Sequence, residues 1–189
     1  MHDDLYPSFS ALVAREPVES YAITVHRGSN PAVAIIAPHG GQIEPGTSAL
    51  TRAIAGCDYS YYLFEGRKAE KNRDLHVTSH HFDEPQCLAL ISDATTVLAI
   101  HGCRGENAIN VGGLDARLAD DLCYALRSKG FPTHRHGHAY PAHQPMNICN
   151  RGARRAGAQL ELTMDMRQAM CATQISAVVR EVLAQAGGM

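Results

Sequence analysis

Two continuous apolar runs of strand length dominate the chain, Ala32–Ala37 (AVAIIA) and Thr95–Ile100 (TTVLAI). Neither alternates with polar residues, so each is read as a strand buried on both faces. The first stops at Pro38 and empties into His39-Gly40-Gly41, which predicts a tight glycine turn. Glu44 and Pro45-Gly46-Thr47-Ser48 then lead into the amphipathic run Ala49–Ala55, a helix ended by Gly56. The second run closes on His101-Gly102. Around these two strands the pattern is weaker. After a polar lead-in (Met1–Pro17), Tyr21–Arg27 alternates as a first strand, and Ser60–Phe64 and Leu75–Ser79 read as further strands. Asp83-Glu84-Pro85 opens a helix through Ile91, with acids where the helix dipole favours them. Ala108–Val111 is a short strand, and Leu114, Leu118, Leu122 and Leu126 mark a helix stopped by Gly130. Pro132–His138 reads as a strand, Ala139–Met146 as a loop and Ala158–Thr163 as a late strand. Asp165 is placed as the cap of a final helix whose apolar face holds Met170, Ile175, Val178, Val182 and Leu183. Strands alternating with helices predict one α/β domain over 1–189, a three-layer α/β/α arrangement around a mostly parallel, mixed sheet.

Composition narrows the function classes. At 189 residues, with 45% hydrophobic and 19% charged residues, the chain is an ordinary soluble protein able to bury a sizeable core. A net charge of −2 argues against a nucleic-acid module, which carries a basic stripe. No apolar run approaches the ~20 residues of a membrane span. The opening MHDDLYPSF is acidic where an export signal is basic and then apolar, so the expectation is a chain that is cytoplasmic as synthesised, with release by lysis as the route outward. Six cysteines without a CxxC pair fit a reduced protein better than a disulfide framework. Histidine is the outlier: eleven of them against no tryptophan, an excess that suits a metal site without requiring one.

His39 and Glu44 fall on a loop at the carboxyl end of a core strand, where open α/β sheets place their chemistry. An imidazole and a carboxylate there make up part of a His/His/Glu set of the kind catalytic zinc uses. His101 is the preferred third ligand because it too ends a buried strand beside a glycine. For any single histidine, a hydrogen-bonded strand end is the commoner fate; two such endings in one small domain favour the metal reading. Glu161 alternates with Leu160 and Leu162 and faces away from both, either on a solvated sheet face or in a cleft. In a cleft it is the proton acceptor that metal-assisted hydrolysis needs. Arg151 beside Asn150, and Arg104 just after His101, are the cations placed to meet an acidic substrate or an oxyanion; a surface arginine is the plain alternative for each. His76, His80 and His81 crowd one stretch, any of which could line the cleft or replace His101. His134, His136 and His138 alternate, and His143 lies near Arg151. Of these, His80 and His143 are expected to reach substrate.

PHGGQIEPGT, LHVTS followed by FDEP, AIHG, NICNRG and QLEL occur in this order along most of the chain. Together they resemble the poly-γ-glutamate hydrolase family of bacteria and their phages, relatives of the zinc carboxypeptidases. The resemblance implies a zinc-carboxypeptidase/phosphorylase-hydrolase-like α/β/α fold and one zinc per chain, held by His39, Glu44 and His101, with Glu161 as general base and acid. It implies hydrolysis of γ-glutamyl amide bonds in an anionic polymer, with Arg151, Arg104, Asn150, His80 and His143 as substrate contacts. Four residues separate His39 from Glu44 where ordinary carboxypeptidases have two, a departure that disfavours ordinary peptide exopeptidase activity. Two readings stand beside this one: a zinc amidohydrolase of small N-acylated amino acids, and a non-catalytic module binding an acidic polymer. No nucleic acid or membrane partner is expected, and nothing in the sequence sets an oligomeric state.

Overall fold

The computed structural model describes residues 4–186. A seven-stranded sheet in the order β1-β3-β2-β4-β7-β5-β6 is built from β1 (Tyr21–His26), β2 (Asn30–Gly41), β3 (Tyr59–Gly66), β4 (Thr96–Gly102), β5 (Ile109–Gly112), β6 (Thr133–His134) and β7 (Ala158–Leu162). β2 runs parallel to both β3 and β4, β4 to β7, and β5 to β6. The pairs β1–β3 and β5–β7 are antiparallel, so the sheet is mixed. The helices are α1 (Phe9–Val13), α2 (Thr47–Ala55), α3 (Pro85–Ile91), α4 (Ala116–Ser128) and α5 (Ala169–Ala186).

Alternation of apolar side chains along the central strands divides the core in two. Val33 and Ile35 of β2, Leu98 and Ile100 of β4 and Leu160 and Leu162 of β7 face α2, α4 and α5. Ala34 and Ile36, with Val97 and Ala99, face α1, α3 and the loop carrying Phe82. Each fully buried leucine or isoleucine contributes about 1.5–3 kcal/mol, and both faces of the central strands are occupied, as their unbroken hydrophobicity requires. The chain leaves β2 for β3 on one side and then crosses back to β4 on the other. Right-handed crossovers in opposite directions put α2 and α3 on opposite faces. The carboxyl ends of β2 and β4 therefore flank a reversal point, the place where open α/β sheets characteristically form a crevice.

Several expectations are corrected. Pro38 does not end β2, which continues to Gly41. Instead the register against β3 slips between Ala37, opposite Leu63, and Gly40, opposite Glu65, so Pro38 and His39 together face one residue. This is a β-bulge, one of the few places a strand accepts a residue lacking an N–H. Leu75–Ser79 is not a strand: Asn72–Leu75 forms a 3₁₀ turn and irregular chain follows. Leu75 and Val77 are buried because the segment packs across the strand ends, which imitates strand alternation. The strand expected over Pro132–His138 is confined to Thr133 and His134, matched to two residues of the short β5. Asp115, not Leu114, begins the α4 helix by accepting the Leu118 N–H at 3.1 Å, and Leu114 is exposed. Asp165 opens a separate 3₁₀ turn, Asp165–Arg167; α5 starts only at Ala169, and Met170 is exposed while Ile175, Val178, Val182 and Leu183 are buried.

The lead-in is packed, not free. Tyr6, Phe9 and Leu12 are buried. The Tyr6 hydroxyl donates to Glu16 at 2.8 Å, and Lys68 Nζ reaches the same carboxylate at 2.9 Å. Burial raises the Glu16 pKa, but the bonds from Lys68 and Tyr6 outweigh it and hold the carboxyl below its ordinary 4.5. A carboxyl depressed on folding stabilises the native state above its unfolded pKa and loses that contribution as the pH falls. Wild type should thus lose more stability than Glu16→Gln between about pH 5 and about pH 3, measured by urea unfolding at each pH; parallel curves would remove this ion pair from the account.

Candidate metal centre

The bulge decides where His39 points. Without an extra residue, His39 would share the parity of Val33 and Ile35 and face α2. With it, the ring turns to the α3 side, edge-on to Phe82 and packed against His76 at a centroid distance of 4.0 Å, the two rings inclined by 33°. His101 follows Val97 and Ala99 in parity and emerges on the same side of β4. Glu161 lies opposite His101 in the β4–β7 register, turned away from Leu160 and Leu162. Glu44 arrives from the loop after β2: its N–H donates to the His39 carbonyl at 3.0 Å, and the Glu44 carbonyl accepts from Thr47 Oγ1 at 2.8 Å. Gly102 N–H donates to Glu44 Oε2 at 2.8 Å, tying the carboxylate to the tip of β4.

Three donor atoms converge. His39 Nδ1 lies 3.1 Å from His101 Nδ1 and 3.4 Å from Glu44 Oε1, and His101 Nδ1 lies 3.7 Å from Glu44 Oε2. All three residues are buried, with exposures of 1%, 2% and 6%. The far nitrogen of His39 donates to the Val77 carbonyl at 2.8 Å, which leaves the lone pair of Nδ1 facing the other two groups. His101 Nε2 has Ser79 Oγ at 3.4 Å. Such outer partners are what fixes imidazole ligands in metal sites. Two imidazole nitrogens at this separation share one proton at most, whereas a cation between them satisfies both and the carboxylate. Ligands at 2.0–2.1 Å from a tetrahedral zinc sit about 3.3 Å apart, so the donor set and its spacing fit that ion.

The electrostatics divide the two carboxylates. Burial pushes Glu44 upward, but His39 and His101 outweigh it and keep its carboxyl well below the usual range. Burial and the charge of Glu44 push Glu161 up to about 8. Burial and then His39 bring His76 down to about 4. Three cationic side chains stand at different depths. Arg73, more than half exposed, reaches within 3.6 Å of Glu44 Oε1. Arg167 is buried, donating from Nη1 to the Pro45 carbonyl and from Nε to the Thr163 carbonyl at 3.4 Å. Its guanidinium lies so close over Gly102 that a Cβ there would collide with it. Arg104 is exposed just beyond the end of β4.

The other expected substrate residues are distributed differently. Arg151 donates to the Phe82 carbonyl at 3.0 Å and is half-buried. Asn150 is fully buried: Nδ2 donates to the Ala142 and Gln144 carbonyls, and Oδ1 accepts from Leu114 and Gly157 N–H. Cys149 Sγ adds a further contact to Oδ1 at 3.5 Å, and all of these bonds go to the protein's own chain. His80 is half-buried against His81, and His143 is exposed on its loop. Arg73 and Arg167 escaped the sequence reading. Arg73 adjoins LHVTS, but reading that stretch as a strand hid the loop that brings it to Glu44.

With this geometry in place, similarity to known proteins becomes specific. The family model described as poly-gamma-glutamate hydrolase matches residues 6–181. The chain belongs to the poly-γ-glutamate hydrolase family. Among curated relatives, it is 36% identical to UPF0714 protein YndL of Bacillus subtilis (strain 168) over 89% of this chain and 67% of that one. It is 38% identical to UPF0714 protein YmaC of the same organism over 88% and 72%. A solved bacteriophage poly-gamma-glutamate hydrolase superposes with a TM-score of 0.92 at 32% identity, covering 98% of this chain and 99% of that one. A zinc-free apo form of YndL gives 0.90 at 31%, covering 97% and 99%. An N-formylglutamate amidohydrolase from Ralstonia eutropha JMP134, 13% identical with a TM-score of 0.61, shares the fold, covering 91% of this chain and 100% of that one. No helix among the described residues is long and apolar enough to cross a membrane.

A structural role for the Asn150 side chain is open to test. Asn150→Ala strands two N–H groups and two carbonyls inside the protein and should lower unfolding free energy by about 2–4 kcal/mol in chemical denaturation. A variant as stable as wild type but impaired in substrate binding would restore Asn150 to the site.

Proposed function

We propose that this protein is a zinc-dependent hydrolase of γ-glutamyl amide bonds in poly-γ-glutamate. The observation that carries the reading is the convergence of His39 Nδ1, His101 Nδ1 and the Glu44 carboxylate, with Glu161 beside His101 on the next strand. Membership of a hydrolase family and the zinc-free description of YndL support the choice of reaction and metal. His39, Glu44 and His101 would hold the ion, which supplies a Lewis acid for the scissile carbonyl and for water.

The remaining chemistry belongs to the chain. Glu161 takes a proton from the attacking water and returns one to the departing amine. In the metal-free protein burial and the Glu44 charge raise its carboxyl, and a cation held by Glu44 offsets the second of these causes, leaving a carboxylate able to accept a proton. Every residue of a γ-linked polymer keeps a free α-carboxylate, so the crevice must receive anions. Arg73 and Arg104 are exposed at its rim, and their guanidinium forks match carboxylates. Arg167 holds the Pro45 carbonyl and packs on Gly102, maintaining the loop that delivers Glu44.

Purified protein should carry about one zinc per chain and shorten poly-γ-glutamate, with both properties lost on chelation and recovered on adding zinc. His101→Ala should weaken zinc binding by about 100-fold or more in chelator competition; undiminished affinity would move the third ligand elsewhere. Glu161→Gln should keep its zinc and lose about 10²–10⁴-fold in turnover. Full turnover by that variant would sink the assignment of the base.

A further inference from the structure

The proposed chemistry makes no use of His76, yet this side chain is among the most constrained in the crevice. Asp4, 72 residues earlier in sequence, grips it from the packed lead-in. Asp4 Oδ1 lies 2.6 Å from His76 Nδ1, and Asp4 Oδ2 accepts the Thr78 N–H at 2.5 Å. A carboxylate bonded to Nδ1 and to the backbone two residues on fixes both the orientation and the tautomer of the ring: the proton sits on Nδ1, and Nε2 carries the lone pair. The ring packs against that of His39, with centroids 4.0 Å apart and planes inclined by 33°. Nε2 then faces Glu44 Oε1 at 3.8 Å. That atom is itself an acceptor and lies beyond hydrogen-bond distance, so no bond forms between them. Among the described residues no donor reaches Nε2, and the side chain keeps an exposure of 17%. An oriented acceptor is thus left open beside the metal-ligand carboxylate.

We propose that His76 Nε2, presented by Asp4, accepts the N–H of the scissile γ-glutamyl amide. The inference rests on the reaction proposed above and adds a residue that reads the substrate's nitrogen. The other groups at the site serve different atoms: Glu161 serves the water and the departing amine, and the exposed arginines serve carboxylates. An acceptor for the amide N–H fixes the plane of the scissile bond before attack. It also favours an amide over an ester, which offers no proton at that position. Discrimination of this kind arises because a buried polar group left unpaired by the wrong substrate carries a penalty.

The test compares a γ-glutamyl oligomer with a matched analogue whose scissile amide is replaced by an ester, using zinc-loaded enzyme throughout. His76→Ala should lower kcat/KM for the amide about 10–100-fold and leave the ester within about 3-fold. His76→Gln, whose side-chain carbonyl can accept the same bond, should recover part of the loss. Assays at saturating zinc, with the zinc content of each variant measured, keep any change in metal affinity out of the comparison. Equal loss on amide and ester, or no loss on the amide, would overturn the proposal. A readout independent of activity comes from ¹⁵N NMR of the His76 ring. The Nδ1–H tautomer is expected in wild type, and a mixture of tautomers in Asp4→Asn, which removes the charge without removing the side chain. A proton on Nε2 in wild type would overturn the assignment even if turnover behaved as expected. If wild type cleaves neither substrate, the proposed reaction fails, and the ring tautomer still decides whether Asp4 presents Nε2 as an acceptor.

Discussion

Two imidazole lone pairs and a carboxylate, all buried and all turned to one point, are costly neighbours unless something positive lies between them. Burying polar groups that face other acceptors forfeits their hydration without replacing it. A fold that nevertheless brings His39, His101 and Glu44 within bonding range of a common centre must hold them there by other means. Each is held. The Val77 carbonyl takes the outer nitrogen of His39, Ser79 Oγ meets that of His101, Gly102 N–H donates to one oxygen of Glu44, and Arg167 clamps the Pro45 carbonyl of the intervening loop. The crossover that reverses the chain between β2 and β4 supplies the crevice, and the packed strands behind it supply rigidity.

One extra residue in β2 turns this scaffold into a site. The bulge at Pro38 and His39 changes the side of the sheet to which His39 belongs, and so lets residues from β2, β4 and β7 meet on a single face. The same device explains why four residues can separate His39 from Glu44. The strand continues past the histidine to Gly41, and the loop returns the carboxylate from beyond the strand tip, not from the following turn of the backbone. Glu161 needs no such adjustment, because strict alternation beside two core leucines already aims it.

Much of this was legible in the chain. The buried strands β2, β4 and β7, and the helices α2, α4 and α5, follow from continuous apolar runs and from helical spacing. Those signals are set by burial, and burial dominates the fold. His39 and His101 attracted attention because each follows such a run, and the structure does bring them together with Glu44. Other features depend on contacts between distant segments and leave no local mark. Asp4 belongs to a stretch that looks merely polar, yet it reaches His76. Asn150 looks like a ligand residue beside an arginine, but its side chain ties its own loop to Ala142, Gln144 and Gly157 and reaches back 36 residues to Leu114. Leu75 and Val77 alternate with polar residues for reasons of packing, which the strand period cannot distinguish from pairing. Pro38 carried a real signal, a proline inside a strand, whose two readings are a stop or a bulge; the bulge prevails because the parallel partner β3 continues alongside.

X-ray absorption at the zinc edge of the metal-loaded protein tests the central claim most directly. The account predicts only nitrogen and oxygen neighbours at about 2.0–2.1 Å, with the outer-shell scattering of two imidazoles, from His39 and His101. A sulfur neighbour at about 2.3 Å, or the signature of a third imidazole, would contradict the site described here.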